Sequence, residues 1–312
     1  MVNHNHKEGQ NHHSHDHKHY HGHHHHHHDG NLKTAFFLNL FFTIIELIGG
    51  FFTNSVAILS DAIHDLGDTI AIGSSLVLEK YSYKGRDSKY SYGYRRFSPL
   101  AGLINTVILI SGSIIMISES FPRLLNPEEV KSNEMIIFAI LGVVFNGLAV
   151  LKLKGEKNKA NQRVILLHLM EDVLGWAAVL VGAIIIKFTG ILILDPILSL
   201  SIALYILYNA FKNMFSISKI FLQATPNDVS IDDMTNRLKK VKNVNSVHDL
   251  HLWTLDGEYN IITVHLVIPD ETTNEQILEI KENSRNIFKE FNQEHYTIEI
   301  EFESEKCAFQ DC

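Results

Sequence analysis

Apolar residues fall into six long blocks before residue 222 of this chain, and into short helical or alternating runs after it. The blocks span about Leu32–Phe52, Val56–Leu78, Phe97–Ile117, Met135–Leu151, Val164–Phe188 and Ile191–Phe211. Each comes near the roughly 20 residues that carry a helix across a bilayer. The pattern therefore predicts an α-helical membrane protein with six transmembrane helices, the fourth of them the shortest.

The later pattern is that of a small soluble domain. Ser230-Ile231-Asp232-Asp233 has the form of a helix start, a hydroxyl cap with an acid three positions on, and the helix runs to about Val241. Val247–Leu255 and Tyr259–Ile268 read as strands joined at Asp256-Gly257, a hairpin signal. Thr273 with Gln276 opens a second helix to about Phe291, and Thr297–Phe302 alternates with the period of a strand. The order αββαβ predicts an α+β domain of the ferredoxin-like or metallochaperone-like kind, its sheet covered on one face by two helices. The expected division is a tail at 1–30, a transmembrane domain at 31–222 and a cytoplasmic domain at 223–312.

The polar exceptions inside the blocks carry the chemistry. In the second block Asp61, His64, Asp65 and Asp68 are spaced i, i+3, i+4, i+7 and form one stripe on a helix. A charged side chain at the bilayer centre costs roughly 2.5–3.5 kcal/mol on insertion scales, so such groups need partners. The fifth block supplies them with His168, Glu171 and Asp172. His64 and Asp68 repeat the i, i+4 spacing of His168 and Asp172. Two nitrogens and two oxygens from facing helices suit a tetrahedral Zn²⁺ site. The plainer reading is an interhelical hydrogen-bond cluster that only holds the bundle. The doubled pattern favours metal, because neutral amides would satisfy packing at lower cost. Asp61, Asp65 and Glu171 share the stripes outside the two pairs and read as groups that orient the ligands or pair the helices. The first block also contains Asn39 and Glu46.

Loop charge sets the orientation. Lys80, Lys84, Arg86, Lys89, Arg95 and Arg96 lie between the second and third blocks, and Lys152, Lys154, Lys157, Lys159 and Arg163 around the connection of the fourth and fifth. The other three connections carry only Arg123, Lys131 and Lys187. By the positive-inside rule the basic loops and both termini face the cytoplasm of a multi-pass cell-membrane protein. The second helix of each three-helix half bears the His/Asp pair, a hint of an inverted repeat. His64 lies nearer mid-span than His168, so the fifth helix is expected to begin earlier, near Lys157, or a wet cavity to reach the site.

Composition narrows the picture further. The net charge of −8 gives no support for nucleic-acid binding. The two cysteines, Cys307 and Cys312, make no disulfide framework and fit a reducing compartment. No basic stretch followed by a cleavable apolar segment opens the chain. Fourteen of the twenty histidines lie between His4 and His28, interleaved with Asn, Asp and Lys rather than in the single block of a purification tag. That tail has no core-forming residues, so it is expected to be disordered and to bind metal loosely. In the soluble domain His248 and His251 flank the first strand, His265 lies in the second and Glu301 in the third. Together they form a candidate second metal site, with Cys307 and Cys312 as a looser Cys-x4-Cys addition.

Other function classes lack their signatures. There is no HExxH for a membrane metalloprotease, since Leu169 follows His168, and no GxxxxGK[ST] for a nucleotide-driven pump. The soluble part is too small for a phosphorylation domain. A metal sensor has no need of ligands inside the membrane, and a channel needs weak, multi-site binding. The reading that remains is a secondary carrier of divalent cations, Zn²⁺ foremost. A membrane-bound metal sensor or a metal channel is the alternative.

Several stretches are similar to the cation diffusion facilitator family, and to its zinc efflux branch. They are Asn31 to Phe36, Leu59 to Asp68, Tyr92-Gly93-Tyr94-Arg95-Arg96-Phe97, His168 to Asp172, Asp195 to Ser199, Thr225-Pro226 and His248-Asp249-Leu250-His251-Leu252-Trp253. The resemblance implies a homodimer that exchanges Zn²⁺ for protons by alternating access. It assigns His64, Asp68, His168 and Asp172 to the transport site, and His248, His265 and Glu301 to a cytoplasmic regulatory site. In the family's pattern an Asp at the position of His64 relaxes discrimination against cadmium. Two positions depart from that pattern. Tyr90 and Tyr94 stand where some members hold an extra metal through histidines, so that site is expected to be missing. Ser98 stands where many members carry an acid.

Overall fold

The computed structural model describes residues 28–74, 77–78, 80–154, 160–291 and 295–305, with side chains from 36 onward except at 152–169. Most of the histidine-rich tail, Cys307 and Cys312 lie outside the described residues. The membrane part consists of α1 (His28–Thr53), α2 (Val56–Ser74), a short α3 (Lys80–Ser82), α4 (Phe97–Leu125), α5 (Ser132–Lys154), α6 (Ala160–Thr189) and α7 (Leu194–Phe221). Among the described residues, five helices are long and apolar enough to cross a membrane: α1, α4, α5, α6 and α7. The sixth, α2, has 19 residues, and Asp61, Asp65 and Asp68 set it apart from the others.

The helices do not end where the apolar blocks end. α4 and α7 run for 29 and 28 residues. At 1.5 Å per residue that is about 42 Å, more than the ~30 Å hydrocarbon core, so their ends continue into the interface. Hydropathy marks the membrane, whereas the helix continues while its backbone bonds are satisfied. Within the described residues α2 runs from Val56 to Ser74, and Val77 and Leu78 beyond it are again helical.

α2 is the central helix and packs against α1, α4 and α7. Two glycines let α4 approach it closely. A Cβ on Gly112 would lie 2.3 Å from Ile63 Cγ2, and one on Gly67 would lie 2.3 Å from Leu109 Cδ2. One turn into α2, the hydroxyls of Ser60, Ser199 and Ser120 form a chain with 2.7 Å links that ties α2 to α7 and α4.

The start of α2 is held by Asp195, from the first turn of α7. Its buried carboxylate accepts from the Ser55 hydroxyl, from the Val56 N–H at 2.9 Å and from the Ala57 N–H at 3.4 Å. A carboxylate at a helix N-terminus satisfies donors that have no intrahelical acceptor and complements the helix dipole. Asp195→Ala is expected to cost about 1–3 kcal/mol, because three buried donors lose their acceptor. A melting curve of the purified protein should show the lower transition temperature. An unchanged transition would mean that the clasp contributes nothing.

The same end carries the sparsely charged connections. The Arg123 guanidinium donates to the Asn54 carbonyl at 3.0 Å, and the Lys131 N–H donates to the Thr53 carbonyl at 2.9 Å. At the opposite end the basic connection between α2 and α4 meets the C-terminal domain, where Arg95 pairs with Asp256 at 3.2 Å.

The C-terminal domain has the expected order: α8 (Ile231–Leu238), β1 (Ser246–Thr254), β2 (Asn260–Ile268), α9 (Asn274–Glu290) and β3 (His295–Phe302). The sheet order is β1-β2-β3, with β1 antiparallel and β3 parallel to β2. Both caps form as their sequences require. Ser230 Oγ accepts from the Asp233 N–H, and Thr273 with Gln276 makes a full capping box. In β2, Ile262, Val264, Leu266 and Ile268 are buried with Met234, Leu238, Ile280 and Phe288 from the two helices. The alternate residues, His265 among them, face away from that core.

Candidate metal sites

The transmembrane cluster forms where α2 meets α6. His64 and Asp68 lie one turn apart on α2, with His64 Nε2 3.7 Å from Asp68 Oδ2. Asp172 of α6 approaches the same nitrogen, its Oδ1 at 3.9 Å. The side chains of Asp68 and Asp172 are 22% and 11% exposed, so the group is sunk in the bundle yet not sealed. Position 168 lies on α6 one turn before Asp172, and its side chain is outside the described part. The described part of α6 opens at Ala160, ahead of the apolar block at Val164.

More acid surrounds the cluster than the two motifs contain. Asp61 and Asp65 are buried, 5% and 6% exposed, on the inner side of α2. Glu46 of α1, 1% exposed, faces both of them. A lone acid within an apolar block was the available signal for Glu46, but its direction around α1 was not legible. Asn39 ties α1 to the same helix, donating to the Asp65 carbonyl at 3.2 Å and to Thr69 Oγ1 at 2.9 Å. Glu171 points elsewhere. It accepts from the Tyr205 hydroxyl and links α6 to α7.

The second cluster lies on the open face of the C-terminal sheet. His248 Nε2 is 3.3 Å from Glu301 Oε2, and His265 Nδ1 is 2.5 Å from Glu301 Oε1. Among the described residues this is the one group of three whose ligand atoms all lie within 4.8 Å of one another. A β-bulge shapes it. His248 pairs with His265 and His251 with Thr263, so Asp249 and Leu250 together oppose Val264. The extra residue puts His248 and His251 on one face, where an unbroken strand would separate them. Both lie inside β1.

Asp249 occupies the left-handed region at φ +48°, which Asp tolerates better than most residues. Its carboxylate spans the gap, 2.7 Å from His251 Nε2 and 3.3 Å from His265 Nε2. His251 is half exposed and joins the cluster only through Asp249. Sequence reasoning passed over Asp249, although a carboxylate between two histidines is the usual means of orienting an imidazole.

A bundle of membrane helices around a His/Asp cluster, followed by an α+β domain with its own His/Glu group, defines a polytopic membrane protein with a C-terminal domain outside the bundle. The cation efflux transmembrane domain matches residues 32–222, and the cytoplasmic domain of cation efflux proteins matches residues 226–303. The chain belongs to the cation efflux family, and it is a cation efflux transporter. It is 33% identical over 272 residues to the metal cation efflux system protein CzcD of Cupriavidus metallidurans, covering 87% of this chain and 86% of that one. It is 32% identical over 283 residues to a cadmium, cobalt and zinc/H(+)-K(+) antiporter of Bacillus subtilis, covering 88% and 89%. The zinc transporter ZitB of Escherichia coli is 29% identical over 285 residues, covering 90% and 89%.

Proposed function

We propose that the protein exports divalent metal cations, Zn²⁺ foremost, from the cytoplasm in exchange for protons, working as a homodimer with both termini cytoplasmic. The observation that carries this reading is the convergence of Asp68 and Asp172 on His64 between α2 and α6. His168, one turn from Asp172, completes a set of two imidazoles and two carboxylates. The names of the relatives, which include zinc, cobalt and cadmium as cargo and H⁺ as counter-ion, support the same reading.

The ligand chemistry supplies the coupling. Zinc binds neutral imidazole and ionised carboxylate, so protons compete for every ligand atom. Facing the cytoplasm, the site loses protons and loads metal. Facing outward, His64, His168 and an aspartate take up protons and release it. Glu46, Asp61 and Asp65 keep further titratable oxygens close to the cluster. The proposed domains are 31–222 for transport and 223–312 for regulation. His248, His265 and Glu301 hold the regulatory ion, and Asp249 orients His265 toward it.

Purified protein in vesicles with an acidic lumen should accumulate zinc and lose lumenal protons in step. Uptake that ignores the pH gradient sinks the exchange mechanism. Uptake that never saturates with zinc identifies a channel instead.

A further inference from the structure

A cavity of about 380 Å³ lies where the basic connection between α2 and α4, the end of α7 and strand β1 meet. Its lining includes three cations, Lys89, Arg95 and Arg96, and no acid. Aromatic walls come from Tyr90, Tyr94 and Trp253. The volume is that of a small-ligand site.

The nearby carboxylates are already engaged by other groups. Asp256 takes Arg95, at 3.2 Å, while the Arg95 guanidinium also lies 4.1 Å over the Tyr259 ring. Asp87 takes Lys84 at 3.3 Å. The Tyr94 hydroxyl, then the backbone N–H groups of Tyr90 and Lys89, hold the Asp87 carboxyl down at about 2. Arg96 is different. It stands at the N-cap of α4, and its Nε is buried without a hydrogen-bond acceptor in the protein. A buried guanidinium N–H with no acceptor is costly, and the acceptor that fits a guanidinium best is a carboxylate or a phosphate.

The position selects between those two. The cavity opens where α4 enters the apolar layer and α7 leaves it, the depth of lipid headgroups. Basic pockets at that depth take phosphate-bearing headgroups, and Tyr and Trp rings suit the same boundary. We propose that this cavity binds a phosphate group, presented by an anionic phospholipid of the adjacent leaflet, with Arg96 as its principal contact and Lys89 at the rim. The bound headgroup would bridge α4, α7 and β1, joining the transport helices to the sheet that carries the His/Glu cluster.

Binding is measured without transport, so the result is independent of the carrier mechanism. Full-length protein in neutral detergent is titrated with phosphatidylglycerol, with phosphatidylcholine and with inorganic phosphate, and retained lipid is read by native mass spectrometry. Wild type should retain phosphatidylglycerol in preference to phosphatidylcholine. Arg96→Gln should weaken that retention by about tenfold, the worth of one charge-assisted hydrogen bond. Arg86→Gln, the same charge change on an exposed loop residue outside the cavity, should leave it unaltered. If Arg96→Gln does not fold, Lys89→Gln, on an exposed side chain, should still weaken retention measurably. Inorganic phosphate that displaces the lipid with the same Arg96 dependence supports the phosphate site and assigns its source to the solute. Equal losses in the Arg96 and Arg86 variants, or no preference for the anionic lipid, overturn the proposal.

Discussion

Asp68→Ala and Asp172→Ala are each expected to abolish metal transport in reconstituted vesicles, while the protein still inserts and dimerises. The two aspartates bring two negative charges to a divalent ion in a low-dielectric setting, and the imidazoles bring none when neutral. Removing either carboxylate leaves one cationic charge uncompensated inside the bundle. Breaking a buried charge pair from one side costs about 3–5 kcal/mol, which lowers affinity by two to four orders of magnitude. Folding is expected to survive. Both side chains border open space, and α2 is held at other points by the Asp195 clasp, the serine chain and the Asn39 contacts. Indicator-loaded vesicles measure uptake, and size-exclusion chromatography checks the dimer. Wild-type rates in either variant would remove these residues from the site.

His64→Asp is expected to shift selectivity from Zn²⁺ toward Cd²⁺ while keeping part of the zinc transport. His64 Nε2 is the atom on which Asp68 and Asp172 both converge, so the substitution changes the centre of the cluster. An imidazole suits zinc in tetrahedral geometry. A carboxylate is harder, shorter and able to bind through one oxygen or two. It enlarges the site and relaxes its geometry, which removes the penalty on a larger ion. One such ligand exchange is worth on the order of tenfold in the ratio of affinities, about 1.4 kcal/mol of differential binding. Parallel uptake curves for the two metals give the ratio directly. An unchanged zinc-to-cadmium ratio would place selectivity at another position.

The parts of this structure that sequence made legible are those that depend on neighbours along the chain. A bilayer demands an apolar length, so the six helices could be counted before any contact was known. The i, i+4 spacing places His64 over Asp68 in any helix. Ser230 with Asp233, and Thr273 with Gln276, cap their helices through bonds that span three residues. The Asp256-Gly257 signal placed the hairpin between β1 and β2.

Tertiary structure decided what depends on register, rotation and distance. Whether His248 and His251 share a face is a question of cross-strand pairing, and the bulge at Asp249 answers it against the simple period of two. Which way Glu46 points follows from how α1 turns against α2, and a single helix does not contain that angle. The Ser55–Asp195 contact joins residues 140 apart, and Arg95–Asp256 joins residues 161 apart. The cation-lined cavity beside Arg96 exists only because those long loops close. Determined by the sequence alone were the membrane helices, the two His/Asp pairs and the order αββαβ, because local backbone chemistry and the bilayer leave few alternatives. Decided only in three dimensions were the approach of Glu46 and Asp172 to the stripe around His64, the carboxylate beside His265 and the cavity at Arg96, because side chains from separate elements meet only after the helices and strands have packed.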